Sequence, residues 1–473
     1  MPESREYDVV VLGAGSTGEN VADRAVKGGL SAVVVESGLV GGECSYWACM
    51  PSKALLRPMQ ALLAAQRVGG ARQAVTGPLD VVAVFQRRDN FTSHWDDAGQ
   101  VQWLEGAHVD LVRGHGRLAG PRRVEVGTAD GTVALGARHA VVVATGSASA
   151  LPAVPGLAGA KAWTPREATG AKHVPPRLVV LGGGAVGCEM AQAFASLGSH
   201  VTIIEMADGL LALNEPVAGQ LVGQAMTESG IDVRTGQSAQ RVEREGSGAV
   251  TVHLATGEVQ GDELLVAAGR RPRTDDIGLG SIGLAPGSWL DVDDTMAVRG
   301  VEGGWLYAAG DVNHRALLTH QGKYQARVCG DAIAARVKGT FDPAPWGRHS
   351  ATADHLAVPQ VIFTDPEVGA VGLTEAQARR AGLNIRVVDY PLGNVSGAKL
   401  YADDYRGHAR LVVDEDRRVV VGATFVGPAA GELVHSATVA VVGEVPLERL
   451  WHAVPAYPTI SEIWLRLLET YGL

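Results

Sequence analysis

Residues 7–12 (Tyr-Asp-Val-Val-Val-Leu) run apolar almost without interruption, the pattern of a parallel strand covered on both faces. Glycines follow at once. Gly13-Ala-Gly15-Ser-Thr-Gly18 opens a helical stretch lasting to Gly28, and a second apolar run, Ala32 to Val35, ends at Glu36. This order predicts a βαβ unit that holds a dinucleotide. In such a unit Gly13 makes the turn and Gly15 lets backbone NH groups approach a pyrophosphate. Gly18 packs helix on strand, and Glu36 accepts from a ribose hydroxyl. The pattern recurs: Leu178 to Leu181 lead into Gly182-Gly-Gly184-Ala-Val-Gly187, a helix runs to Leu197, and Val201 to Ile204 end at Glu205. Twenty-three positions separate first glycine from carboxylate in both copies, Gly13 to Glu36 and Gly182 to Glu205. Two dinucleotide sites are therefore expected.

Proline marks the joints between these units. Leu151-Pro152-Ala-Val-Pro155-Gly156 and Pro175-Pro176 precede the second unit, and Pro343 to Pro345 mark a later break. Between them lie short strand-like runs (Val250 to Leu254, Leu264 to Ala268), then Gly269-Arg270-Arg271-Pro272, then Trp305-Leu-Tyr-Ala-Ala-Gly310-Asp311, where the chain is expected to rejoin its first domain. Beyond Pro345 strand-like runs and helices alternate (Val358 to Phe363, Ala409 to Val413, Val419 to Val426, Leu433 to Val442) without a phosphate loop. The expected fold is α/β: two Rossmann-like dinucleotide-binding domains plus a C-terminal α+β domain. The expected boundaries are 1–150, 151–272, a return segment 273–342 that completes the first domain, and 343–473.

Composition narrows the function. The 473 residues carry 41 Lys plus Arg against 51 Asp plus Glu, a formal charge of −10, which argues against a nucleic-acid carrier because neutralising phosphates takes a basic surface. Hydrophobic residues at 46% and charged residues at 19% suit a globular chain with a large core. No run approaches the roughly 18 apolar residues of a membrane span. The N-terminus, Met1-Pro2-Glu3-Ser4-Arg5-Glu6, lacks a signal-peptide core, so a cytoplasmic location is expected. Four cysteines are too few for a secreted disulfide framework, and a close pair in a reducing compartment points to catalysis or metal binding.

That pair is Cys44 and Cys49, in Gly41-Gly42-Glu43-Cys44-Ser-Tyr-Trp-Ala-Cys49-Met-Pro51-Ser52-Lys53. If Cys44 begins a helix, the next turn brings Cys49 within disulfide range, and the positive helix end favours a thiolate. The spacing fits a redox disulfide. A metal site would need a second ligand pair, and two buried free thiols are the plain alternative. Cys188 and Cys329, each alone in a helical stretch, read as small hydrophobes.

Taken together, these motifs resemble the class I pyridine nucleotide-disulfide oxidoreductases, the family of dihydrolipoamide dehydrogenase, glutathione reductase and mercuric reductase. The likeness covers nearly the whole chain: Gly13 to Glu36, Gly41 to Lys53, Ala144-Thr145-Gly146, Gly182 to Glu205, Gly310-Asp311, and Phe363-Thr-Asp-Pro-Glu-Val-Gly369 stand in family order. It implies an FAD-dependent enzyme in which NADH gives hydride to the flavin and the flavin reduces Cys44–Cys49. By position Cys49 lies beside the flavin and Cys44 is the outer thiol. Lys53 stands near the flavin, paired with Glu189 as a buried ammonium's counter-ion. Gly42, Gly116, Thr145 and Gly146 are implied FAD contacts. Asp311 is expected to hold the ribityl chain, and Leu317, Leu318, Thr319 and His320 to face the pyrimidine at a helix start. Gly182, Gly184, Gly187, Glu205 and Gly269 are implied contacts of the nicotinamide cofactor. Glu205 repels a 2′-phosphate, so NADH is expected over NADPH, unless Arg270 and Arg271 fold towards a phosphate.

One motif departs from the family. Its C-terminal His-Pro-Thr-x-x-Glu, with a His general acid–base oriented by the Glu, reads here Tyr457-Pro458-Thr459-Ile460-Ser461-Glu462. His452, five residues earlier, reads as an ordinary helix or loop histidine. A phenol titrates near 10 and forms no imidazolium to stabilise a thiolate. Mercuric reductases share this tyrosine, but the chain has neither their C-terminal cysteine pair nor their N-terminal metal-binding module. The expected activity is transfer from NADH to a small, lipoamide-like disulfide. The alternatives are a metal ion, quinone or thiol-reactive electrophile as acceptor, and a non-catalytic flavin-binding redox sensor. No resident metal, nucleic acid or membrane partner is expected. A homodimer is implied, with Tyr457 and Glu462 reaching the partner's redox pair.

Overall fold

Val9, Val10 and Val11 are fully buried in succession, because strand Glu3–Leu12 lies inside a sheet covered on both faces. The computed structural model describes residues 3–246 and 248–473. Met1 and Pro2, where the N-terminal reading begins, and Ser247 lie outside them. The described residues divide into two compact units: those up to Pro51, Asp89–Ser149 and Arg270–His355 form the first, and those of Ser52–Arg88, Ala150–Gly269 and Leu356–Leu473 the second.

In the first unit, strands Asp110–Arg113, Ala32–Glu36, Glu3–Leu12 and Gly131–Val143 lie side by side in parallel, and Leu306–Ala308 also pairs in parallel with Gly131–Val143. Arg123–Thr128 and His115–Leu118 extend the sheet antiparallel. Helix Ser16–Lys27 and the long helix Thr319–Lys338 pack together closely. A Cβ on Gly322 would stand 2.3 Å from Thr17 Oγ1, and one on Gly330 2.5 Å from Arg24 Cβ. One of the chain's exits from this unit and the return that follows it form a two-stranded antiparallel ribbon, Ser147–Ser149 against Arg270–Pro272.

The second unit contains a four-stranded parallel sheet ordered Asp232–Arg234, His200–Ile204, Arg177–Leu181, Glu263–Val266, and a three-stranded antiparallel sheet. Its C-terminal region is a five-stranded antiparallel sheet ordered Pro359–Ile362, Glu367–Gly372, Val419–Gly427, His408–Asp414, Ile385–Pro391. Helices Val434–Val442 and Ile463–Tyr471 cover it. The architecture is thus two Rossmann-like dinucleotide folds and an α+β C-terminal region. No helix among the described residues is long and apolar enough to cross a membrane.

The cysteine segment departs from expectation. Cys44 does not begin a helix whose next turn carries Cys49. Two helices divide the stretch, Gly42–Tyr46 and Cys49–Gln66. The break has a local cause: the NH groups of Trp47 and Ala48 both close on Glu43 O, at 2.8 and 2.7 Å, and Trp47 leaves helical geometry at φ −138°.

Candidate functional site

The first glycine turn is built by contact as well as by conformation. Gly13 has φ +99°, and a Cβ there would meet Ala144 O at 2.5 Å; on Gly18 it would stand 1.9 Å from Gly13 O. Helix Ser16–Lys27 therefore starts tightly against the strands, with Gly15 as N-cap and no side chain occupying its free NH groups. Glu36 closes the turn, accepting from Ala14 N and Gly38 N, both at 2.7 Å. Three features fit a bound dinucleotide. A Cβ on Gly15 would meet Gly42 Cα at 3.9 Å, an ordinary contact, one on Gly146 would stand in open space, and the hydroxyl of Thr145 is buried without a hydrogen-bond partner.

Gly18→Ala tests this packing. Alanine is worth about 1 kcal/mol over glycine in a helix, but overpacking costs about 1–3 kcal/mol, and a backbone carbonyl cannot swing aside as a side-chain tip can. The expected outcome is a lower melting temperature with reduced flavin per chain, measured by thermal unfolding and visible absorbance.

The thiol segment is stitched to this turn. Gly41 N donates to Ala14 O (2.8 Å), Gly15 and Gly41 form an isolated parallel bridge, and a Cβ on Gly42 would lie 2.8 Å from Gly15 Cα. Asp97 fastens the loop from outside, accepting from Val40 N at 2.7 Å and from Arg113 at 2.6 Å. Cys44 and Cys49 are unjoined thiols in hydrogen-bond contact. The contact with Cys49 and burial push the Cys44 thiol up; the Thr319 hydroxyl and the Lys323 charge oppose this. Two thiols sharing one site hold their second proton more tightly than the first. Thr319 Oγ1 lies 3.2 Å from Cys49 Sγ, a contact absent from the sequence reading, which assigned Thr319 to the flavin alone. Cys188 and Cys329 are fully buried, and burial pushes both thiols up.

Other predicted residues take definite places in the first unit. Asp311 accepts from Ser147 Oγ at 2.5 Å, and Arg270 donates to the same hydroxyl at 2.6 Å. Arg271 pairs with Asp275. Both arginines are thus paired within the first unit. Gly310 is required by its φ of +83° and by Thr17, whose Oγ1 would lie 2.8 Å from an added Cβ. Gly116 has a packing reason of its own, since a Cβ there would meet Leu12 Cδ2 at 2.7 Å and Val35 Cγ1 at 2.9 Å. Leu317 and Leu318 are half-buried ahead of the long helix, Leu318 is its N-cap, and His320 is exposed on its first turn.

In the second unit Gly182 (φ +110°) and Gly187 repeat the tight turn: Cβ atoms there would meet Ala267 O at 2.5 Å and Gly182 O at 1.9 Å, while Gly184 faces open space. Glu205 accepts from Gly183 N at 2.6 Å and Ala207 N at 2.7 Å, which fixes its carboxylate at the strand end. Gly269 takes φ +130°. Lys53 Nζ lies 2.7 Å from Glu189 Oε2 and 4.9 Å from the Phe363 ring centroid. The other Glu189 oxygen accepts from Phe363 N at 2.9 Å. Three residues complete this cluster without having been singled out in the sequence. Gln192 exchanges two hydrogen bonds with the Asp365 backbone, at 2.7 and 2.8 Å, and Arg67 grips the Asp365 carboxylate at 2.6 and 2.8 Å. The quoted stretch from Phe363 to Gly369 was their only sequence signal.

Tyr457 is 74% exposed, its hydroxyl 3.5 Å from Ser396 Oγ. Glu462 points elsewhere. One of its oxygens accepts from Arg466 at 2.8 and 3.2 Å, and the other is buried without a partner. His452 is exposed just past helix Leu447–Leu450.

A family model described as pyridine nucleotide-disulphide oxidoreductase matches residues 7–328, and the model of that family's dimerisation domain matches residues 358–467. Dihydrolipoyl dehydrogenase of Thermus scotoductus is 32% identical over 467 residues, spanning 97% of this chain and 96% of its own. Mercuric reductase of Staphylococcus aureus is 29% identical over 461 residues, spanning 97% and 81%. Among solved structures, the Cu(II) complex of an HOCl-induced flavoprotein disulfide reductase from Escherichia coli aligns with a TM-score of 0.84 at 23% identity, over 98% of this chain and 99% of its own.

Proposed function

Because the chain belongs to the class I pyridine nucleotide-disulfide oxidoreductases, enzymes that use FAD and NADH, we propose that its thiols Cys44 and Cys49 deliver electrons to a small disulfide. The observation that carries this reading is the hydrogen-bonded thiol pair fastened backbone to backbone onto the first glycine turn. Residues 1–150 and 273–342 would hold FAD, 151–272 NADH, and 343–473 would join two copies into a homodimer. Bound FAD would supply the chemistry that takes hydride from NADH and passes an electron pair to the oxidised, disulfide form of Cys44 and Cys49, which returns the two thiols.

The chain's own residues do the rest. Gly15 and the free NH groups of helix Ser16–Lys27 receive the pyrophosphate. Asp311, oriented through Ser147, accepts from a sugar-alcohol hydroxyl. Glu189 pairs with Lys53 at 2.7 Å and holds its side chain in place. Glu205, fixed at its strand end, accepts from a ribose hydroxyl and disfavours a 2′-phosphate. Cys44, the outer thiol, meets the acceptor, while Cys49 stays beside Thr319.

A second reading, a metal ion or thiol-reactive electrophile as acceptor, is favoured by one observation. Tyr457 is a phenol, and Glu462 accepts from Arg466, so this motif supplies no imidazole–carboxylate pair to protonate a departing thiolate. NADH oxidation by the purified protein with lipoamide, oxidised glutathione, a quinone and thiol-complexed metal ions separates the two. Turnover with a disulfide is expected. Negligible rates with every disulfide, beside good rates with another acceptor, would replace the first reading by the second.

A further inference from the structure

Exchange with an acceptor needs Cys44 as a thiolate, yet contact with Cys49 and burial both disfavour that form. Tyr457 offers no imidazole to relieve this. The seam between helices Ser16–Lys27 and Thr319–Lys338 holds a carboxylate that no step above uses. Glu19 is 7% exposed, with Oε1 buried and without a hydrogen-bond partner. Across the seam Lys323 attracts Glu19, and the same ammonium favours the thiolate of Cys44. Its position follows from the helix: Lys323 comes one turn after Thr319, whose hydroxyl touches Cys49, and residues four apart share a helix face. Gly322, which permits the close crossing at Thr17, is its immediate neighbour.

The groups facing Glu19 come from three elements. Lys323 lies on the long helix, Glu36 at the end of strand Ala32–Glu36, and Tyr46 on helix Gly42–Tyr46. Burial, opposed by the Lys323 charge and reinforced by Glu36, raises the Glu19 carboxyl to about 7. Its charge therefore changes across the neutral range.

We propose that Glu19 is a positioning residue for the redox pair: it governs how much of the Lys323 charge reaches Cys44, and so how readily the outer thiol becomes a thiolate within its own chain. The step is Cys44–SH to Cys44–S⁻ with the proton released to solvent, and no electron moves in it. With Glu19 neutral the ammonium acts on Cys44 unopposed; with Glu19 ionised, part of that field is cancelled. The inference rests on Cys44 being the outer thiol.

The test is alkylation of the phosphine-reduced holoenzyme by iodoacetamide, followed residue by residue with mass spectrometry from about pH 5 to about pH 9. In the native protein the rise in Cys44 alkylation should flatten above about pH 7, as Glu19 ionises. Glu19→Gln should abolish that flattening and speed alkylation at alkaline pH by about tenfold, one pKa unit's worth. Lys323→Met, a change at an exposed position, should slow it by a similar factor. Superimposable profiles for the native protein and both variants would overturn the proposal, as would a Glu19→Gln protein that loses flavin while its Cys44 profile stays native. Faster alkylation of Cys49 than of Cys44 in all three proteins would instead overturn the assignment of the outer thiol.

Discussion

Cys49→Ser should abolish thiol-dependent turnover, lowering kcat by roughly 10³-fold or more, the scale seen when a reacting nucleophile is removed. A serine hydroxyl cannot form the bond to Cys44 that the cycle breaks and remakes. The fold has little reason to suffer. Residue 49 opens helix Cys49–Gln66, a place where serine is well tolerated, and the Thr319 hydroxyl beside it can bond to oxygen as readily as to sulfur. FAD should therefore stay bound at native stoichiometry, and acceptors that bypass the thiols should keep their rates. Loss of the flavin from Cys49→Ser, read by absorbance after gel filtration, would make the pair structural.

The second large effect is a gain. Tyr457→His should raise kcat/KM for a disulfide by about 10²-fold, the lower end of what general acid–base catalysis supplies. The gain should stay at that lower end because Glu462, which would orient the imidazole, already accepts from Arg466. Adding Arg466→Leu frees the carboxylate and should carry the rate further towards about 10⁴-fold. The rate should then follow a single ionisation near the ordinary histidine value, about 6.5. Native rates for both variants across that range would place residue 457 away from the thiols. Leaving groups give a second handle. Without an acid, the native protein should prefer disulfides of acidic thiols, which depart unprotonated.

What the sequence made legible was what local pattern decides. Both glycine turns, their helices and their terminal carboxylates fall where twenty-three-residue spacing put them, because a buried parallel strand and a close-packed glycine leave few alternatives. Strand Val250–Leu254 was readable to the residue for the same reason. The site's electrostatics were not. Glu19 is an unremarkable polar residue in a helix until Gly322 and Gly330 draw a second helix, some three hundred residues away in the chain, onto it. Glu462 and Arg466 are four apart and could have been paired on helical spacing, but that their contact would occupy the motif's glutamate depends on which face of Ile463–Tyr471 is buried. Arg270 and Arg271 read as candidates for a phosphate because charge is visible in a sequence, whereas Ser147, Asp311 and Asp275, which pair with them, are not visibly near.

The ribbon of Ser147–Ser149 against Arg270–Pro272 makes Ser149 and Arg270 cross-strand neighbours, about 5 Å apart at their Cα atoms. The segment between them, residues 150–269, therefore has its two ends side by side. What anchors the segment elsewhere includes a short set of polar contacts, Glu189 to Lys53 and Phe363 and Gln192 to Asp365, so a graft across the ribbon would have to carry those partners with it.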